Sequence, residues 1–234
     1  MGTLAELREL KINLMNNEIT EKAMRMGPLE SHSRLEMLDL NFSNNKLSDF
    51  AFKNLCNSVS NVKSIRKIRL VFDTCCLTEK GCLYLGRLIS QEPNLEEIDL
   101  SIRENDVKFD GIQYICAGLI QIKRVKKLRL NLEGTLIGDY SANYLATCLL
   151  KLRNLSFVDL NLENCDLSSE TMGNIVKAVH ECCRKTEEIS IDMRRNREIK
   201  KELLEQLRRE MESSKVAIKV DQMPAESATG FITA

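Results

Sequence analysis

Along most of the chain, short runs in which apolar and polar residues alternate give way to stretches in which apolar residues recur three and four apart. The alternating runs are Leu38, Leu40, Phe42; Ile68, Leu70, Phe72; Ile98, Leu100, Ile102; Leu128, Leu130, Leu132; and Val158, Leu160, Leu162. A period of two places such residues on one face of a β-strand. The stretches that follow carry Phe52, Leu55, Val59; Ile112, Ile115, Leu119; Ala142, Leu145, Leu149; and Ile175, Val179. That spacing marks one face of a helix. Ser48, Thr78 and Ser168 stand just ahead of these stretches, where a helix N-cap belongs.

The strand-plus-helix unit repeats. Its first apolar residue falls at Leu7, Leu35, Ile65, Leu95, Val125 and Leu155, with a degenerate seventh anchor at Thr186. One such unit cannot bury its apolar faces alone, but stacked copies can. Helices need about 10 Å of lateral room and strands about 4.8 Å, so a stack must curve with the strands inside. Two further columns share the period: Asn45, Cys75, Asn105, Thr135, Cys165 after the strand, and Ala51, Gly81, Gly111, Ser141, Thr171 early in the helix. The chain thereby resembles the leucine-rich repeat family, in its ribonuclease-inhibitor-like subclass with full helices. The resemblance implies a right-handed α/β solenoid of about seven repeats, with a curved parallel sheet inside and helices outside. It also implies that the Asn/Cys column bonds backbone in the turn. One departure is visible: the repeat reads LxxLxLxLxxNxL where the family reads LxxLxLxxNxL, which predicts a longer strand and a taller inner face.

The organisation expected is a repeat domain over 1–197, a C-terminal cap over 198–220 and a flexible tail over 221–234. Ile199, Leu203, Leu204, Leu207 and Met211 define an amphipathic capping helix, and KVAIKV at 215–220 alternates like a short strand. The first strand, around LRELKINL, starts close to the first residue, so an exposed apolar edge strand is expected there, covered by another chain.

Charge narrows the function classes. Lys plus Arg and Asp plus Glu each number 34, so the net charge is zero. Nucleic-acid binders draw most of their affinity from phosphate neutralisation and carry a basic excess, so no nucleic-acid partner is expected. No apolar run approaches the roughly 18 residues of a membrane helix, and the N-terminus lacks the apolar core of a secretory signal. Nine cysteines, an odd number, suit a reducing compartment. A cytoplasmic protein without membrane insertion is the expectation.

The residue between the two central apolar positions of each strand points away from the core. Down the stack it reads Lys11, Asp39, Arg69, Asp99, Arg129, Asp159. Two positions earlier the column reads Glu9, Met37, Lys67, Glu97, Lys127, Phe157, Glu188. Neighbours in a column sit about 4.8 Å apart, so alternating signs attract. Two readings follow. The charges hold the sheet in register, since a one-repeat slip would set like charges side by side. Or they form a charged docking face, with Arg69, Asp99 and Arg129 as contacts and Met37 and Phe157 as apolar anchors. Tyr84, Tyr114 and Tyr144 are also thirty apart; they either pack against the neighbouring helix or form a stripe for a protein partner.

Cys75, Cys76, Cys82 and Cys182, Cys183 with His180 lack paired CxxC spacing, so no metal or other cofactor is expected. No nucleophile-plus-base set and no phosphate-binding glycine motif is present, and no small-molecule substrate is expected. The reading is a non-enzymatic interaction module, a scaffold or structural subunit of a larger complex. The family resemblance adds cytoskeletal and ciliary assemblies as settings. The alternative is a regulatory adaptor or a GTPase-activating protein of the leucine-rich-repeat type.

Overall fold

A computed structural model describes residues 6–20, 29, 34–60, 62–183, 188–210, 216–221 and 230–233. The described elements are, in order, β1 (Glu9–Asn13), β2 (Met37–Asn41), α1 (Asp49–Val59), β3 (Lys67–Val71), α2 (Glu79–Gln91), β4 (Glu97–Ser101), α3 (Lys108–Leu119), β5 (Lys127–Asn131), α4 (Gly138–Leu149), β6 (Phe157–Asn161), α5 (Ser169–Cys182), β7 (Glu188–Asp192), α6 (Lys201–Glu210), β8 (Val216–Val220) and β9 (Gly230–Thr233), with strands and helices alternating from β2 to β8. The sheet runs in chain order from β1 to β9. Neighbours from β1 to β8 are parallel, and β9 returns antiparallel to β8. This is the α/β solenoid that the periodicity demands. Thr186 and Met211 lie outside the described residues.

The period-two residues make the core. Leu38, Ile68, Ile98, Leu128, Val158 and Ile189 are all buried in one column, and Leu40, Leu70, Leu100, Leu130, Leu160 and Ile191 in the next. The helices close the other side of this layer. Phe72 stacks on Phe42 and meets Phe52 of α1 edge-on, with ring centroids 5.9 and 5.0 Å apart. Thr78 and Ser168 accept hydrogen bonds from the Lys80 and Thr171 amides, as N-caps do, whereas Ser48 holds the N-cap backbone geometry without a side-chain cap bond.

Past each strand the ladder continues through further backbone bonds, such as Phe42 N to Val71 O and Asn44 N to Asp73 O. The chain then turns through a left-handed residue at Asn16, Asn44, Thr74, Glu104, Gly134, Asn164 and Arg195, a column that keeps the repeat spacing. The asparagines beside it clamp one repeat to the previous one. Asn105 Oδ1 accepts from the amides of Cys75 and Leu77, and its Nδ2 donates to the carbonyls of Phe72 and Ile102, all at 2.8–3.0 Å. Asn45 and Asn196 make the same four bonds in their own repeats. Cys75 and Cys165 reach back to the Phe42 and Leu132 carbonyls with their thiols.

The two ends differ. In β1, Leu10 and Ile12 are only half-buried, although their partners Leu38 and Leu40 have no exposure at all. At the other end Ile199, just ahead of α6, and Leu207 within it are buried, as are Ile218 and Val220 of β8. Within the stretch expected as a flexible tail, residues 230–233 pair with β8 through four register positions. Gly-Phe-Ile-Thr has the β-branched and aromatic content that suits a strand.

Candidate functional site

The inner sheet face carries the predicted charge columns, and the register sets their partners opposite one another: Asp39 beside Arg69, Arg69 beside Asp99, Asp99 beside Arg129, Arg129 beside Asp159. The Arg69 guanidinium lies 3.1 Å from Asp39 and 3.3 Å from Asp99. Arg129 reaches Asp159 at 4.0 Å and lies over the Phe157 ring, 4.5 Å from its centroid. In the next column Glu97 takes Lys67 at 3.1 Å and Lys127 at 3.5 Å. A third column, unread in the sequence, does the same: Arg8 with Glu36, and Arg66 and Lys126 both with Glu96, at 2.7–2.9 Å.

Protonation follows from these neighbours. Burial pushes the Asp99 carboxyl above the usual range, and the pull of Arg69 and Arg129 does not offset it. Burial also raises Glu97, but there the bonds and charges of Lys67 and Lys127 win and hold it low. At the far end burial opposes the charge of Asp192, and Arg194 at 2.7 Å outweighs it.

These strands line a shallow hollow of about 380 Å³, with Arg69, Asp99, Arg129, Asp159, Asp192 and Lys219 on its walls. Most of its charges already have a partner of opposite sign within the sheet. Such a face projects little net field and steers neither an acidic nor a basic partner from a distance. Met37 is half-buried on the same face, and Phe157, also half-buried, is roofed by Arg129. Among the described residues, no group of three or more His, Cys, Asp or Glu is placed to hold a metal ion. None of the described helices is long and apolar enough to cross a membrane.

The tyrosines separate. Tyr84 and Tyr114 are half-buried, Tyr84 against the core, while Tyr144 is 38% exposed. Tyr144 belongs to a different group. The Phe109 ring meets Tyr140 at 4.2 Å between centroids and Tyr144 edge-on at 6.3 Å. Tyr140 is 73% exposed, and Leu136, four residues before it, is 63% exposed. Phe109, Tyr140 and Leu136 were not singled out from the sequence. One solvated column reads Phe50, Lys80, Asp110, Tyr140 and Glu170, so Tyr140 is one of two exposed aromatics there among three charges.

No family model matches the chain. It is 26% identical over 144 residues to the NACHT, LRR and PYD domains-containing protein 3 of Rattus norvegicus, a stretch of 61% of this chain and 13% of that protein. It is 27% identical over 164 residues to the ribonuclease inhibitor of Mus musculus, covering 70% of this chain and 34% of the inhibitor. The chain thus spans about a third or less of the length of these relatives. Among solved structures, a tropomodulin C-terminal domain from Caenorhabditis elegans aligns with a TM-score of 0.49 at 14% identity, over 69% of this chain and 90% of that one. Leiomodin-1 actin-binding site 2 aligns with a TM-score of 0.48 at 11% identity, over 76% and 82%.

Proposed function

We propose that this chain, a leucine-rich repeat protein whose full outer helices place it with the ribonuclease-inhibitor-like kind, is a non-enzymatic interaction module that works as a structural subunit of a larger assembly. The observation that carries the reading is the β1 edge. Leu10 and Ile12 are half-buried in columns whose members from β2 to β7 are fully buried. An edge strand with half-covered apolar residues favours a further strand or helix laid against it. A strand or helix of a partner chain, or of further repeats of the same polypeptide, would fill that place, and a cytoskeletal or ciliary complex is the proposed setting. The self-compensated inner face supports the same reading, because it offers neither a convergent catalytic set nor a one-signed trap for a charged enzyme.

The test is purification of the tagged native protein, with mass spectrometry of the intact chain and its companions. A companion at fixed stoichiometry supports the subunit reading. A native polypeptide longer than 234 residues, with further repeats ahead of β1, would replace the partner chain with the protein's own array.

A further inference from the structure

We infer that the rim where helices α1 to α4 return to the next strand is a docking surface for an acidic segment of a partner protein, one with an aliphatic anchor between Asp or Glu residues. The inference rests on the interaction-module reading but uses a surface separate from the β1 edge.

A net charge of zero conceals two poles. The returns at 60–66, 90–96, 120–126 and 150–156 lie at the N-terminal ends of the parallel strands. They hold Lys63, Arg66, Lys123, Arg124, Lys126, Lys151 and Arg153 against only Glu92 and Glu96. At the other ends of the strands the sign reverses: in the turns 73–80, 103–110, 133–140 and 163–170 carboxylates outnumber cations ten to three.

The surroundings of the basic rim do not neutralise it. Glu96 is already shared by Arg66 and Lys126, at 2.9 and 2.8 Å, and Glu92 is fully buried. Lys63 and Lys123 donate to the carbonyls of Gln91 and Ile120, at 2.8 and 3.4 Å, and Arg124 to the Asn94 side chain at 3.2 Å. Those partners are neutral, so they hold the cations without cancelling their charge. Lys151 and Arg153 are exposed, and neither side chain bonds another group among the described residues. Beyond Asp110 and Asp139 in their first turns, α3 and α4 carry no charged residue. The flanks are balanced: Arg8 pairs with Glu36 on one side, and α5 brings Lys177 and Glu181 on the other.

Apolar surface stands among these cations. Lys123, Lys151 and Arg153 line a hollow of about 250 Å³ together with Ile120, Ile122 and Leu152. Leu150, next to Lys151 in the chain, is 39% exposed. Carboxylates flanking an aliphatic side chain complement this pattern, the charges orienting the segment and the hollow taking the anchor. A phosphate polymer offers nothing aliphatic to the hollow, and the acidic pole repels an extended polyanion.

The experiment uses two fluorescent peptides with the same Leu anchor, one flanked by Glu and one by Lys, titrated with the full chain and read by anisotropy. The Glu peptide is expected to bind and the Lys peptide not to. Lys123→Glu with Arg153→Glu should weaken the Glu peptide at least tenfold, and about 1 M salt should do the same to the unsubstituted chain by screening. Leu150→Ser should weaken it severalfold at every salt concentration, and Asp110→Lys at the opposite pole should leave it unchanged. All four positions are exposed, and thermal melts confirm the fold.

Equal binding of the Lys peptide overturns the inference, as does Glu-peptide binding indifferent to the double reversal. Tighter binding to phosphatidylserine vesicles or to a single-stranded oligonucleotide than to the Glu peptide assigns the rim to phosphate groups and overturns it too. Self-association in sedimentation that the double reversal abolishes assigns the rim to the acidic pole of a second copy instead. A Glu peptide that fails to bind while native companions are still recovered removes the rim site and leaves the subunit reading; a bound peptide with no native companion does the reverse.

Discussion

Asn105 shows how much one side chain does here. Its amide joins two backbone donors of the repeat before it to two backbone acceptors, in a buried turn. Removing it leaves buried groups without partners, each costing about 1–3 kcal/mol. Asn105→Ala is expected to lower unfolding stability by roughly 3 kcal/mol in urea titration, and Asn105→Gln to rescue little of it. The carboxylates divide by environment. Asp192 has a folded pKa below its unfolded value, so its stabilisation is present above the unfolded value of about 3.9 and is lost as pH falls through the folded one. Asp99 has the opposite sign: its raised folded pKa opposes folding at neutral pH and is relieved by acid. Asp192→Asn should therefore destabilise at pH 7 with the loss fading towards pH 3, whereas Asp99→Asn should cost less at pH 7. Parallel chemical denaturation of both variants across pH checks this.

At the scale of elements, two contacts decide the stacking. A Cβ added to Gly86 of α2 would lie 2.1 Å from the Tyr114 carbonyl oxygen of α3, and one added to Gly118 would lie 2.3 Å from the Gly86 carbonyl oxygen. The two helices meet backbone to backbone, and no side-chain rotation relieves such a clash. Gly86→Ala is expected to cost about 3 kcal/mol or more, since overpacking against rigid neighbours typically costs 1–3. The left-handed turn column offers the reverse. Thr74 sits at φ +52°, which suits asparagine far better than a β-branched residue, and Asn44 and Asn164 occupy the matching places. Thr74→Asn should raise the melting temperature, with a gain of about 0.5–1 kcal/mol. The strands, helices and charge columns were legible because a thirty-residue period repeats each signal. The Gly86–Gly118 notch was not, since its two glycines fall in different columns. Nor was the Phe109–Tyr140 pairing, because it joins two columns across neighbouring helices. β9 was hidden by the small polar residues that precede it.

For the whole molecule, the two ends of the sheet are not equivalent. The C-terminal end is finished by α6, β8 and β9, whereas β1 leaves Leu10 and Ile12 half-covered. The inner face pairs most of its charges within the sheet, and α3 and α4 present the exposed rings of Tyr140 and Tyr144. In the proposed reading, such a molecule would bind through its β1 edge, with its hollow as a frame. The most direct measurement is hydrogen–deuterium exchange over β1, made on the recombinant chain and on the native protein purified with its companions. The account predicts fast exchange at residues 9–13 in the isolated chain and slowing of at least tenfold in the native assembly, with β4 and β5 unchanged. Equal, slow exchange in both samples would show that β1 is already complete in the lone chain, and would contradict the assignment as a subunit whose edge another chain covers.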